Sequence, residues 1–454
     1  CLFINPMDML ASVPYIKSLA MISVLREANI RVELIDPSAQ GIKIKDILQA
    51  IQKKSPKIIC VSAVPSTLPF AYQLIQEIKK LKVQPIIIIE GYHVNADPTI
   101  VKELDIEYGL VGDTEYTVLE LCQNILRDQP VSESIDGLIL YKNGKLIVNR
   151  PALVKDLNLL PVPAFELMSI GNYYSASTDK RIMYMFTSRG CPYECNFCTN
   201  PTQRFYRYLS LDNTIHQLKY LVNDLKIEWV EFMDLTFTTH KKRTIELCEA
   251  IYANNIKFQW GCETRADLVD DEILSAMKKA GCEKITFGVE SGNENVRFRT
   301  GKKISDEQFI NAFNLCKKHK IRTMANFILG HPNETEEEMK DSIKFAKVID
   351  PFNVVYVRMT PLPDVDIYTD GVKAGEIDSD IWVQYMKGEI SHPAYYPKTI
   401  SPKKMEYLFK KGLLSYYFSF RTIGKYLFLF KNVRFMMKSI GIFLGYTFGG
   451  PKFK

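Results

Sequence analysis

One pattern decides what this chain can fold into: short aliphatic runs alternate with helix-period stretches, first near the amino terminus and again past the middle. The first series is Leu2-Phe3-Ile4, then Lys17 to Glu27; Lys57 to Val61, then Ala71 to Leu81; Ile86 to Ile89, then Thr99 to Leu104; Tyr108 to Val111, then Tyr116 to Leu126. Strands that read as continuous apolar runs, each followed by an amphipathic stretch, predict a parallel sheet covered by helices on both faces. The first 128 residues are therefore expected to form a doubly wound, Rossmann-like domain. Such sheets bind ligands at the carboxyl ends of their strands. Those ends carry Asn5-Pro6, the loop Ser62 to Thr67 with Ser66, Glu90-Gly91-Tyr92-His93 and Gly112-Asp113-Thr114-Glu115. No GxGxxG follows the first strand, which argues against a nicotinamide or flavin dinucleotide.

The second series runs through Met183–Thr187, Trp229–Met233, Phe258–Glu263, Lys284–Val289, Arg322–Leu329 and Asn353–Met359. Six βα units predict a partial or complete parallel barrel over 181–365, with its chemistry at the carboxyl ends of the strands. Between the two series, Asn143-Gly144 lies between apolar runs and predicts a β-hairpin. That hairpin is expected inside a linker, 129–180, which closes on Leu159-Leu160-Pro161-Val162-Pro163. Residues 366–454 read as helices rich in Tyr, Phe and Lys.

Composition narrows the setting. The longest aliphatic stretch, Ile86 to Ile89, is far too short to span a bilayer. The first residues show neither a basic leader nor a cleavage site, so a cytoplasmic protein is expected. Ten cysteines in 454 residues are too few for a disulfide scaffold. Three of them crowd together in Cys191-Pro192-Tyr193-Glu194-Cys195-Asn196-Phe197-Cys198, just past the first barrel strand. Three thiolates can share one soft metal centre and leave a coordination place open. A structural zinc would need a fourth ligand, and Cys248, Cys262, Cys282 and Cys316 show no partner spacing.

With its aromatic before the last cysteine, this CxxxCxxC loop resembles the signature of the radical S-adenosylmethionine enzymes. The resemblance continues through Glu231-Phe232-Met233-Asp234, Glu263-Thr264-Arg265, Phe287-Gly288-Val289-Glu290-Ser291-Gly292 and Ile328-Leu329-Gly330-His331-Pro332-Asn333-Glu334. It implies that Cys191, Cys195 and Cys198 hold a [4Fe-4S] cluster whose open iron chelates S-adenosylmethionine. It further implies that Asp234 meets the amino group of that ligand, that Arg265, Glu290 and Ser291 meet its carboxylate and ribose, and that Phe197 and Ile328 flank its adenine. Where the family often has paired aspartates, the second place here is Leu235. Arg265 and Glu290 have an alternative reading as ion pairs inside the barrel.

The amino-terminal domain resembles the cobalamin-binding module that precedes the barrel in one subgroup, through Asn5, Ser62, Ser66, Thr67, Gly91, Tyr92, His93, Gly112 and Glu115. None of the six histidines lies in an Asp-x-His-x-x-Gly context, so the resemblance does not extend to an imidazole beneath the cobalt. His93 either touches the corrin or caps a strand. The subgroup includes methylases that transfer a methyl group to unactivated carbon, by way of a 5′-deoxyadenosyl radical and methylcobalamin, with electrons from a flavodoxin- or ferredoxin-like donor. A cobalamin-dependent radical methylase of a small-molecule or lipid substrate is the reading implied. The alternatives are a radical cyclase, ring-rearranging or carbon–carbon bond-forming enzyme without methyl transfer, a radical enzyme whose first domain has lost cobalamin, and a metal-binding adaptor.

Charge is local. From Lys403 onward there are eleven basic residues against the single acid Glu406, in a chain of net charge +6. Lys410, Lys411, Arg421, Lys425, Lys431, Arg434 and Lys438 alternate with aromatic and aliphatic residues. This tail either lies on an anionic membrane surface or packs its aromatics on the barrel. No nucleic-acid recognition motif accompanies it.

Overall fold

The computed structural model describes residues 1–7, 14–175, 178–199 and 204–426. The first sheet has seven strands: β1 (Leu2–Ile4), β2 (Glu33–Ile35), β3 (Ile58–Ser62), β4 (Ile86–Glu90), β5 (Tyr108–Leu110), β6 (Leu138–Lys142) and β7 (Lys145–Val148), in the order β2-β1-β3-β4-β5-β6-β7. β1 to β5 run parallel. Alternate side chains serve opposite faces. Leu2, Ile4, Ile59 and Val61 join a core with the helices Ile44–Lys54 and Leu68–Lys79. Phe3, Cys60 and Ile88 join another with the helices Lys17–Glu27 and Glu115–Leu126. The doubly wound expectation is met.

Two features of this sheet depart from the sequence reading. The Asn143-Gly144 hairpin forms, with both turn residues at positive φ, but it does not sit in a linker. β6 pairs antiparallel with β5, Gly109 opposite Ile139, so the hairpin extends the sheet. A turn signal reports local pairing and is silent about a third strand. β2 also escaped notice, because three residues, of which only Ile35 is buried, carry too little hydrophobic pattern to read.

Past the hairpin come β8 (Ile182–Met185), the short antiparallel pair β9 (Ser188–Arg189) and β10 (Arg207–Tyr208), then β11 (Trp229–Phe232), β12 (Gln259–Thr264), β13 (Cys282–Glu290), β14 (Arg322–Leu329) and β15 (Asn353–Arg358). Six of these form one parallel sheet in the order β15-β14-β13-β12-β11-β8. Among the described residues β8 and β15 do not pair with each other, so the barrel is partial. Phe232, Trp260, Phe287 and Phe327 face outward into the apolar layer beneath the surrounding helices. Those helices start where side chains satisfy free backbone N–H groups: Asp270, Ser305 and Thr335 each accept one at an amino terminus.

The carboxyl-terminal helices tie the two sheets together. Helix Ile381–Lys387 packs against helix Leu68–Lys79 of the first domain and buries Trp382 and Met386 there. Helix Pro402–Tyr417 lays Met405, Leu408, Phe409, Leu413 and Tyr416 against the barrel, and the following turn is held by Arg421 and Lys425 on Asp350. Phe409 and Tyr416 of the tail are thus taken up by the barrel, while Tyr407, Phe418 and Phe420 stay exposed. Lys431, Arg434 and Lys438 lie outside the described residues. No described helix is long and apolar enough to cross a membrane.

Candidate functional site

The cysteine loop leaves β9 through Gly190 (φ +90°) and is clasped from several sides. The Asn196 N–H donates to Thr300 O at 3.1 Å. At Gly301 (φ +76°) a Cβ would stand 2.5 Å from Glu194 O, so only glycine lets this turn press against the loop. The Arg265 guanidinium stacks 3.8 Å from the centre of the Tyr193 ring. It also donates to both Asp267 oxygens and to Lys302 O, at 2.9 to 3.0 Å. Phe197 meets His331 edge to face at 5.7 Å and shares an apolar cluster with Ile328, Met359 and Tyr395.

None of the three cysteines is in a disulfide. Burial, and then the proximity of Cys195 and Cys191, push the Cys198 thiol up to about 12. Among the described residues no three His, Cys, Asp or Glu side chains converge as they would around one metal ion. A four-iron cubane asks something else, namely thiols spread around a larger body. Three reduced thiols on one externally braced loop, with Cys191 3.4 Å from Thr236 Oγ1, suit that soft donor set.

Glu290 pairs with Lys302 at 3.2 Å, from a backbone at φ +66° beside a register shift in β13. A Cβ at Gly288 would lie 2.2 Å from the Glu290 carboxylate, so glycine there makes room for the pair. Positive φ in a glutamate is costly, and such strain concentrates at functional positions.

Other expected contacts are already engaged internally. Asp234 is buried and accepts from the Thr187 N–H at 2.6 Å, from Thr187 Oγ1 and from Ser188 Oγ at 2.7 Å. In this arrangement it fixes the start of the cysteine loop instead of offering a free oxygen to an amino group. Ser291 is fully buried beside Glu334 and Ser342. Glu334 in turn accepts the N–H groups of Gly330 and His331 at 2.8 and 3.0 Å, and burial pushes its carboxyl up to about 7.

The first domain divides in the same way. Asn5, Ser62 and Thr67 are buried and bonded within the fold: Ser18 Oγ to Asn5 at 2.7 Å, Ser62 to Glu90, and Thr67 Oγ1 to Val64 O. Gly91 is pressed against Ala63, and Ser66 is exposed with its carbonyl accepting from Tyr385 OH. His93 is fully buried 4.9 Å from Trp382, both ring nitrogens without a hydrogen bond, and burial pulls its pKa down to about 3. Glu115 is bound by Arg189 at 2.6 Å. These residues are engaged in packing and in the domain interface.

Tyr92 and Gly112 are placed differently. They line a cavity between the domains with Lys17 and Asp113 on one side and Phe186, Ser188, Arg189, Gly190, Met233 and Leu235 on the other. Leu157, Leu160, Pro161 and Pro163 form its third wall, so the proline-rich stretch read as a boundary is part of the site. A buried ionic knot closes the cavity: Arg189 to Asp113 at 3.0 Å, and Arg207 to the other Asp113 oxygen and to Val154 O. Sequence reading passed over Lys17, Arg189 and Arg207, for which no local signal exists. The volume is about 80 Å³, below the ~300 Å³ at which pockets for organic ligands begin. The small and aromatic residues of its walls suit a flat macrocycle only once those walls stand further apart.

Comparison with known proteins gives the following. Residues 185–346 match the radical SAM superfamily model, and residues 16–122 match the B12 binding domain model. An uncharacterized methyltransferase of Pyrococcus horikoshii, PH0819, is 28% identical over 411 residues, covering 89% of this chain and 88% of the relative. Among solved structures, the cobalamin-dependent S-adenosylmethionine radical enzyme OxsB, with aqua-cobalamin and S-adenosylmethionine bound, superposes with a TM-score of 0.74 at 18% identity, covering 97% of this chain and 72% of its own. The radical S-adenosylmethionine methyltransferase TsrM of Kitasatospora setae, with cobalamin and a [4Fe-4S] cluster bound, gives 0.70 at 17% identity, covering 89% and 80%. At such identities these two likenesses speak for the fold.

Proposed function

The chain is a radical SAM protein with a B12-binding domain ahead of its barrel, and from that premise we propose a cobalamin-dependent methyltransferase acting on an unactivated carbon of a small molecule. When bound, the cluster and S-adenosylmethionine supply radical chemistry and cobalamin supplies a methyl group. One observation carries the reading. Ser188, Arg189 and Gly190, which lead into the cysteine loop, line the same cavity as Tyr92 and Gly112 of the B12-binding domain. A carbon held there lies between the two cofactor sites, and holding reacting groups in line is a large part of what the protein can contribute.

The chain's own residues position and exclude. Cys191, Cys195 and Cys198 are the ligands offered to the cluster. Arg265 and Tyr193 brace their loop against the turn that carries Lys302. Phe197 and Ile328 offer apolar walls to an adenine-sized ring. The Leu157–Pro163 stretch and the Arg189–Asp113 knot wall the cavity on two sides. Electrons would come from a flavodoxin- or ferredoxin-like protein, and a lipid acceptor remains within the same chemistry.

The test is anaerobic reconstitution with iron, sulfide and hydroxocobalamin, followed by incubation with methyl-labelled S-adenosylmethionine and a reductant. A corrinoid spectrum beside the iron–sulfur shoulder, and release of S-adenosylhomocysteine together with 5′-deoxyadenosine, are expected. Release of 5′-deoxyadenosine without S-adenosylhomocysteine would replace methyl transfer by a cyclase-type reaction. Iron without bound corrinoid would remove cobalamin from the reading.

A further inference from the structure

The two ends of the barrel hold their cations differently. At the carboxyl ends of the strands Lys302 is bound to Glu290, Arg265 to Asp267 and Arg358 to Glu406. At the amino ends one lysine stands shortly ahead of each strand of the six-stranded sheet: Lys180 before β8, Lys226 before β11, Lys257 before β12, Lys279 before β13, Lys320 before β14 and Lys347 before β15. Lys180 is half-buried and the other five are exposed. Among the described residues none of the six has an ion pair or a hydrogen bond to its ammonium group, and Lys279 lies over the Tyr252 ring at 4.2 Å. The neighbouring acids are largely taken: Glu228 binds Arg181 at 3.6 Å, Glu283 binds Lys278 at 2.6 Å, and Asp350 binds Arg421 and Lys425 at 2.9 and 2.6 Å. Asp179, Asp224 and Glu249 are unpaired as well, which leaves the lysines in excess. Lys180, Lys226, Lys257 and Lys279 line one open groove across the amino ends of β8, β11, β12 and β13.

Beside this basic floor, toward β14 and β15, large apolar side chains are exposed. Val348, next to Lys347 in the last turn of helix Glu336–Ile349, is 60% exposed. Phe418 and Phe420, where helix Pro402–Tyr417 gives way to helix Phe420–Tyr426, are 67% and 96% exposed. That turn is fixed at the amino end of the barrel, since Tyr416 OH donates to Pro351 O and Lys425 holds Asp350, both just ahead of β15. In sequence residues 427–454 follow, of which fifteen are large aliphatic or aromatic, five are basic and none is acidic. Unpaired lysines beside exposed aromatics match a partner that is negative at its surface and apolar a few ångströms in, which describes an anionic bilayer. A nucleic acid offers the phosphates without that apolar layer. A protein electron donor has to reach the cysteine loop, and that loop lies at the other end of the strands, about 26 Å away along the eight residues of β14.

We propose that the amino end of the barrel, with Phe418 and Phe420 at its margin, is a docking face for an anionic lipid bilayer. The lysines lie over headgroup phosphates and the phenylalanines enter the interface, each contact weak and the set of them strong. Docked in this way, the protein turns the carboxyl end of the barrel, with the cysteine loop and the cavity between the domains, toward the aqueous side. The face needs neither cofactor, so it goes beyond the function proposed above and stands or falls apart from it.

The test is flotation of the full-length reconstituted protein with vesicles of phosphatidylglycerol and phosphatidylcholine in equal parts, against vesicles of phosphatidylcholine alone. Each is run at about 0.1 M and about 1 M NaCl, between which the screening length falls from ~10 to ~3 Å. Two variants accompany the wild type, with circular dichroism and iron content confirming that both are intact. Lys226→Glu/Lys257→Glu/Lys279→Glu reverses the charge of the groove, and Phe418→Ser/Phe420→Ser removes the apolar margin. Binding is expected to the anionic vesicles alone and to weaken at high salt, about a hundredfold weaker with the charge reversal and about tenfold weaker with the serines. Duplex RNA, added at a phosphate concentration equal to that of the lipid, is expected to displace less than half of the bound protein. The proposal is overturned if the wild type does not float, if it floats equally well with neutral vesicles, or if the RNA displaces it completely. Flotation of both variants as well as the wild type would overturn it too, by assigning the membrane contact to residues outside this face.

Discussion

The strand ends of the first sheet and the inner face of the barrel are built alike and treat polar residues differently. At the strand ends of the first sheet, Asn5, Ser18, Tyr15, Ser62 and Glu90 bond to one another, and the acids Asp113 and Glu115 are neutralised by arginines that enter from the barrel. Inside the barrel, two ion pairs flank the exposed Glu263, and the buried Thr286 hydroxyl and Asn326 Oδ1 have no hydrogen-bond partner. A satisfied buried group holds a scaffold, whereas an unsatisfied one awaits something from outside. The contrast belongs to these two surfaces and not to whole halves: Asp234, Ser291 and Glu334 are fully engaged in the barrel, while His93 is unmet in the first domain.

That contrast can be broken at the barrel first. Cys198→Ala should abolish S-adenosylmethionine cleavage, a fall of at least about 10³-fold given that cofactors carry such chemistry, with 5′-deoxyadenosine release and iron content as the measurements. Retained cleavage would show that the trio is not the cluster site. On the other side of the contrast, Arg189→Met should destabilise the fold by about 3 kcal/mol, because Glu115 is left charged and buried. Urea unfolding measures this, and an unchanged midpoint would strip the knot of its structural role.

A smaller effect is expected at Glu334, a scaffold group within the barrel half. Its carboxyl titrates near 7 when folded and near 4.5 when unfolded. The folded state holds the proton more tightly, so this group favours folding below pH 4.5 and its contribution is lost as the pH rises through about 7. Glu334→Gln should flatten that decline and leave the variant about 1 to 2 kcal/mol more stable relative to wild type at pH 8 than at pH 4.5. Stability curves at the two pH values decide it. The smallest change is expected at His93, a neutral ring packed on Trp382. His93→Phe should shift stability by less than about 1 kcal/mol and leave the corrinoid spectrum of the reconstituted protein intact. A loss of bound corrinoid would move His93 from scaffold to ligand.

Sequence displayed the strands because parallel, doubly covered strands are written as aliphatic runs, and Ile86–Glu90 needs no context to be read. β2 and the attachment of the hairpin to β5 depend on neighbours distant in the chain and were not legible. The same division holds at the site. The cysteines, Arg265, Glu290, Phe197 and Ile328 stand in local patterns and are brought together. The diversion of Glu115 to Arg189 could not be foreseen, since it joins residues 74 positions apart.

Arg189 stands two residues ahead of Cys191, a leash of about 7 Å at full stretch, and its other end is moored to Asp113 and Glu115. Prising the two halves apart to admit a tetrapyrrole must therefore either cast off that mooring or drag the first sulfur with it. The width of the gap and the seat of the iron are coupled through a single side chain.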